Sequence, residues 1–176
     1  MKTRRYYNDA ELVGLYKAHL LSYIEYRTPA VYHALRKDLD KLDNIQTGFL
    51  RNIGVDEVEA LIHFNLAPLC MRRDIAMLGV LHRAAIGEGP PQLKEVFRRR
   101  PGSYMLLDPF DNATRHSLIK RSALGLIPVY NRLRSGAQSI RTVQDFQKYL
   151  QERAKKLIVQ GETDRWMQMY SPRRVL

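Results

Sequence analysis

The chain has 176 residues and a formal net charge of +11, from 29 lysines and arginines against 18 aspartates and glutamates. Its hydrophobic share of 45% is that of an ordinary folded domain, and its length is enough to bury a core. No apolar run approaches the roughly 18 residues needed to cross a bilayer, and no apolar stretch follows the first charges, so neither a membrane span nor a secretory leader is expected.

The single cysteine, Cys70, excludes an intrachain disulfide and a cysteine-rich zinc site. Set among Leu69, Met71 and Ile75 it reads as a core thiol, in keeping with a reducing, intracellular setting. Charge is unevenly spread. Residues 1–88 hold 12 basic and 11 acidic side chains, whereas residues 89–176 hold 17 and 7. Such asymmetry points to a polyanionic partner for the second half, with nucleic acid the commonest and a membrane surface not expected.

In chain order, Leu12, Leu15, Tyr16, His19, Leu20, Tyr23 and Ile24 form one apolar helical stripe, opened by an Asn8/Glu11 capping box. Thr28 and Pro29 read as the cap and first residue of a second helix. Its apolar positions are Val31, Ala34, Leu35, Leu39, Leu42, Ile45, Phe49, Leu50 and Ile53, with a bend near Lys37-Asp38 and a stop at Gly54. Asp56 and Glu59 cap a short helix over Val58 to Phe64. Pro68 opens another, with Met71, Ile75, Leu78, Gly79 and His82 on one face and a close over Gly87 to Pro91. Residues 98–117 lack periodicity and are rich in turn residues, so a long loop is expected. Helices resume over Ser122–Leu133 and after Thr142, through Val143, Phe146, Leu150, Ala154 and Leu157. From Gly161 the polar, basic sequence predicts a flexible tail. The expected fold is all-α: an irregular multi-helix bundle with a helical region over 1–97, the loop over 98–117, a second helical region over 118–160 packing on the first, and the tail over 161–176.

Nucleotidyl transfer by two metal ions needs carboxylates that converge on magnesium. No Asp-Asp pair occurs, and Asp38, Asp40 and Asp43 alternate with Arg36, Lys37 and Lys41 as on a solvated helix face. The histidines have no zinc-helix spacing, and His19 and His82 read as core or boundary residues. No G-x-S-x-G elbow is present, and the glycines after residue 86 follow a helix rather than open one, as a phosphate loop would. No catalytic residue, metal ligand or cofactor is expected.

Three basic clusters remain as candidates for phosphate contact. They are Arg72-Arg73 in the first turn after Pro68, Arg98-Arg99-Arg100 in the loop, and Arg115, Lys120 and Arg121 followed by Arg132. An arginine can place two hydrogen bonds on one phosphate. Cations in a first helical turn oppose the helix dipole, so Arg72 and Arg73 call for acidic partners, with Asp74 or the Asp56–Glu59 segment at hand. Internal pairing is weighed ahead of nucleic acid there. For Lys120-Arg121 and the triple arginine the order reverses, because few acids lie nearby in sequence.

The order of several motifs resembles the segment that follows the palm in LINE-type (non-LTR) reverse transcriptases. These are Leu15-Tyr16-Lys17, Glu25-Tyr26 and Pro29, then Leu42-Asp43, Gln46 and Arg51, then Leu66, Leu69 and Arg72-Arg73. Val129-Tyr130-Asn131-Arg132-Leu133 and Val143, Phe146-Gln147 and Leu150 follow. Together they cover about residues 10–157. Val31-Tyr32 stands where the family has a tryptophan region, Tyr130 replaces a tryptophan and Arg134 a proline. The resemblance implies a thumb-like, non-catalytic region that helps hold an RNA/DNA template–primer when joined to a palm domain, encoded here as a separate or truncated reading frame. A stand-alone nucleic-acid-binding protein and a helical protein-interaction module are the other readings.

Overall fold

The computed structural model describes residues 6–110, 117–133, 135–161 and 166–173. It is mostly helical, and among these residues extended pairing is confined to one isolated bridge. No described helix is long and apolar enough to cross a membrane. The chain divides into two compact units, Met1–Arg73 and Asp74–Leu176.

The first unit opens with α1 (Asp9–Tyr16), held at its start by the expected capping box. Glu11 N–H donates to Asn8 Oδ1 at 2.9 Å, and Asn8 N–H donates to Glu11 Oε2 at 2.8 Å. The helix then widens into a π turn over Lys17–Leu21 before resuming as α2 (Ser22–Tyr26). A π turn carries an extra residue, so the buried stripe runs Leu12, Val13, Tyr16 and then Leu21. This corrects the expected 3.6-residue stripe. Leu15, His19, Leu20 and Tyr23 are exposed.

A short α3 (Thr28–Val31) follows, with Pro29 in its first turn and Thr28 inside the helix rather than capping it. The break before α4 (Arg36–Ile53) falls at Tyr32–Leu35, ahead of the expected Lys37-Asp38 bend, and Leu35 is extended there. Gly54 ends α4 in the left-handed region, φ +73°, where a side chain would be strained. Asp56 caps α5 (Glu57–Phe64) by accepting from Glu59 N–H. The core joins Leu12, Val13, Tyr16 and Leu21 to Leu50, Ile53, Val55, Ala60, Leu66 and Leu69. Tyr16 stacks on Phe49 at 4.5 Å, and burial pushes its hydroxyl up to about 12.

Helix α6 (Leu69–Ala85) begins in the first unit and continues into the second, and most of its circumference is buried. In the second unit, Gly79 lets α6 approach α11 (Val143–Val159) closely. A Cβ there would lie 2.4 Å from Gln147 Nε2 and 3.1 Å from Val143 Cγ1. Thr142 caps α11 as expected, accepting from Asp145 N–H. His82 is fully buried, stacked on Phe146 with ring centroids 4.0 Å apart. Its Nε2 lies 2.8 Å from the Ile140 carbonyl and its Nδ1 3.0 Å from the Tyr130 hydroxyl. A carbonyl can only accept, so Nε2 carries the proton and Nδ1 accepts from Tyr130. The neutral imidazole is thus satisfied on both nitrogens, and burial holds its pKa below the usual histidine range.

Between these helices the chain makes short pieces: α7 (Pro91–Val96), α8 (Ser117–Lys120), a 3-10 turn (Ala123–Leu126), α9 (Ile127–Asn131) and α10 (Ser135–Gln138). The single helix expected over Ser122–Leu133 is therefore broken, because Pro128 cannot donate to an earlier turn. The expected loop begins as a hairpin turn. Leu107 N–H donates to the Arg98 carbonyl at 2.7 Å and Arg100 N–H to the Met105 carbonyl at 2.8 Å. Pro101-Gly102 turns the corner, with Gly102 at φ +67° and Ser103 N–H closing on the Arg100 carbonyl at 3.2 Å. The described part of the tail is not frayed as expected. Trp166 and Tyr170 are buried, and the Tyr170 hydroxyl donates to the Leu150 carbonyl at 2.9 Å. Two large aromatic rings, each able to bury about 150–250 Å², anchor a segment whose composition is otherwise polar.

Candidate functional site

The first unit takes up its basic cluster internally. Arg73 lies on α6 and Asp43 on α4, where Leu39, Gln46, Leu50 and Ile53 form the buried stripe. Asp43 falls on that stripe, between Leu39 and Gln46, rather than on the solvated face expected for it. Arg73 is only 4% exposed and donates from both terminal nitrogens to both Asp43 oxygens, at 2.6 and 2.9 Å. Arg72 donates to Glu25 of α2. The partners are thus Glu25 and Asp43, not Asp74 or the Asp56–Glu59 segment. On the outer face of α4, Arg36 pairs with Asp40 at 3.0 Å and Lys41 with Asp38 at 3.2 Å, as a solvated face would.

The second unit arranges its cations around a cleft of about 780 Å³. Arg100 of the hairpin turn, Lys120 of α8, Arg132 after α9, Arg153 of α11 and Arg173 of the C-terminal segment line it, with Asp108. Five cations therefore meet one carboxylate among the described lining residues. Arg132 Nε donates to the Pro128 carbonyl at 3.2 Å and an Arg173 terminal nitrogen to the Arg121 carbonyl at 3.5 Å. A carbonyl orients a guanidinium without neutralising it.

Asn131 fixes the hairpin turn against α9. Its amide accepts from Leu106 N–H and donates to the Leu106 carbonyl, both at 2.9 Å. The side chain thereby reproduces the pairing of a neighbouring strand and sets where Arg100 stands. Gln138 of α10 in turn donates to the Tyr130 carbonyl at 2.9 Å, satisfying an end of α9.

Of the candidate residues named from sequence, Arg100, Lys120 and Arg132 come together in the cleft. Arg98, Arg99 and Arg121 lie outside its lining. Arg98 Nε donates to the Glu95 carbonyl at 3.3 Å, and Arg121 Nε to the Ser117 carbonyl at 3.2 Å. The Arg99 guanidinium donates to the Ala85 carbonyl at 3.4 Å and lies 5.6 Å from the Tyr104 ring centroid. Arg115 falls outside the described residues. Sequence reasoning missed Arg153 and Arg173. Arg153 carried a usable signal, three residues after Leu150 and beside Ala154 on the apolar side of α11. Arg173 reaches the cleft because the Trp166/Tyr170 pair folds its segment back.

No protein-family model, curated protein or solved structure significantly matches this chain.

Proposed function

We propose that the second unit holds a polynucleotide by its phosphate backbone and performs no chemistry on it. In this reading the chain is a thumb-like, non-catalytic segment of an intracellular, LINE-type reverse transcriptase, working on a template–primer when joined to a palm. The observation that carries the proposal is the cleft with five cations and one carboxylate. Phosphate contacts of this kind release counterions, so affinity falls with salt by a logarithmic slope of about −0.7 to −0.9 per phosphate engaged. Five contacts give a slope of roughly −3.5 to −4.5.

The test is a filter-binding titration of the full chain with mixed-sequence single-stranded nucleic acid at several salt concentrations. Lys120→Ala and Arg132→Ala should each weaken binding and flatten the slope by about one contact. Arg72→Gln, whose parent side chain already faces Glu25, should change binding little. By the same contrast, charge removal at Lys120 and Arg121 should lower affinity more than removal at Arg72 and Arg73. A flat salt response, or equal losses from both groups, would falsify the proposal.

A second reading, a helical module that docks on a protein such as the missing palm, is favoured by one feature of the first unit. Leu15, Leu20, Tyr23 and Tyr26 are exposed, Tyr26 to 87%. The π turn rotates part of the expected apolar stripe outward.

A further inference from the structure

Resting on the phosphate-holding part of that reading, we infer that the cleft of the second unit takes an unpaired polynucleotide strand, as in the single-stranded part of a template, and discriminates against the side of a duplex. Two properties of the cleft carry the inference together. The first is size. Pockets of roughly 300–1,000 Å³ enclose most of one small ligand, and a cleft of about 780 Å³ lies in that range. It can admit a nucleotide or two, whereas a duplex, with a major groove alone about 12 Å wide, can only rest on the rim.

The second property is composition. Met105, Val129, Leu133 and Met169 also line the cleft and give it an apolar component. A duplex keeps its base faces stacked inside and offers the protein phosphates, sugars and base edges. It has nothing to place against a methionine and valine surface. An unpaired nucleotide is amphipathic in the matching way, with a flat apolar base on one side and a phosphate on the other. Single-strand binding sites in general combine a positive groove for the backbone with a surface on which bases lie. Tyr170 also lines the cleft but is buried, with its hydroxyl committed to the Leu150 carbonyl, so the contact is burial of the base face on the aliphatic side chains and is tolerant of sequence. The cations around it come from four separated stretches of chain, the hairpin turn, α8–α9, α11 and the C-terminal segment. Successive phosphates of one strand can therefore meet different walls.

The test uses fluorescence anisotropy on the full chain at low salt, with a short labelled oligouridylate and a blunt duplex bearing the same number of phosphates. The strand is expected to bind about tenfold more tightly than the duplex. Arg153→Gln and Arg132→Gln should each cost the strand several-fold while leaving the duplex nearly unchanged. Arg132 is exposed, so its replacement leaves the fold intact even if that of Arg153 does not. Met169→Asp, at the apolar wall, should abolish the preference. Equal affinity for strand and duplex overturns the inference and leaves phosphate holding in place. Absence of binding to either overturns both. A free uridine monophosphate that competes as well per phosphate as the oligonucleotide also overturns the strand assignment, making the cleft a nucleotide site.

Discussion

In the Met1–Arg73 unit four basic side chains face carboxylates, whereas in the Asp74–Leu176 unit five arginines donate to carbonyls. Arg36, Lys41, Arg72 and Arg73 of the first unit are each held by an aspartate or glutamate. Arg98, Arg99, Arg121, Arg132 and Arg173 of the second donate to backbone oxygens. Lys155 does pair with Glu152 along α11. The two arrangements serve different ends. A carboxylate removes the field of a cation and ties two elements together, as Arg73 ties α6 to α4. A carbonyl only aims it, so the field survives at the surface. The first unit thus uses Arg72 and Arg73 for cohesion, and the second aims Arg132 and Arg173 by backbone carbonyls.

The sharpest way to break this comparison is to remove Asp43. Burying a guanidinium without its counter-charge carries an effective penalty of several kcal/mol. Asp43→Ala should therefore destabilise the protein by about 3–5 kcal/mol in urea unfolding. Replacing both partners, Asp43→Leu with Arg73→Met, should recover much of that loss, since no charge is then stranded. A single-mutant loss below about 1 kcal/mol would mean that Arg73 turns to water, and that the first unit does not depend on its ion pairs.

How far the sequence led follows the same division. Asn8, Gly54, Asp56 and Thr142 act locally, through hydrogen bonds or a φ value within a few residues, and each was legible from its neighbours. The all-α class follows from the same periodicity. The π turn was not legible, because it changes the helical period without any proline or glycine to mark it. Its cost was the misplacement of Leu20 and Tyr23 on the buried face. Arg73 with Asp43, and Arg100 with Arg153 and Arg173, are separated by tens of residues, and charge counting along the chain cannot pair them. The need for a partner at Arg73 could be read from the helix dipole, but its identity could not. The tail misled because its average polarity conceals two aromatic residues four apart.

A smaller effect should come from Asn131, and it sharpens the account of the second unit. Leu106 is fully buried, so both of its backbone groups depend on the Asn131 amide. Asn131→Ala should cost about 2 kcal/mol, in keeping with roughly 1–3 kcal/mol for a buried group left without a partner. The hairpin turn that carries Arg100 would also loosen, so oligonucleotide affinity should drop along with stability. Asn131→Asp keeps the acceptor for Leu106 N–H but loses the donor, and should fall between the two. If Asn131→Ala leaves affinity unchanged while stability falls, the hairpin turn does not position Arg100 for binding.

The smallest effect is a matter of pH. Of the buried polar groups on α6, Arg73 in the first unit is ion-paired, whereas His82 in the second is neutral. Its folded pKa lies below the unfolded value of about 6.5. Above that value both states carry neutral imidazole and histidine contributes no slope. As pH falls below it, the unfolded chain takes up a proton that the folded chain refuses, and stability declines until the folded pKa is reached. One such proton gives at most about 1.4 kcal/mol per pH unit. Urea midpoints between pH 7.5 and 5.5 should therefore fall more steeply for the parent chain than for His82→Gln. That variant will be less stable at pH 7, because glutamine cannot reproduce the stack on Phe146. The slope, not the starting value, is decisive. Parallel curves would show that His82 takes up its proton while folded, with Nδ1 turning from acceptor to donor toward Tyr130. The core of the second unit would then tolerate a charge as the first does.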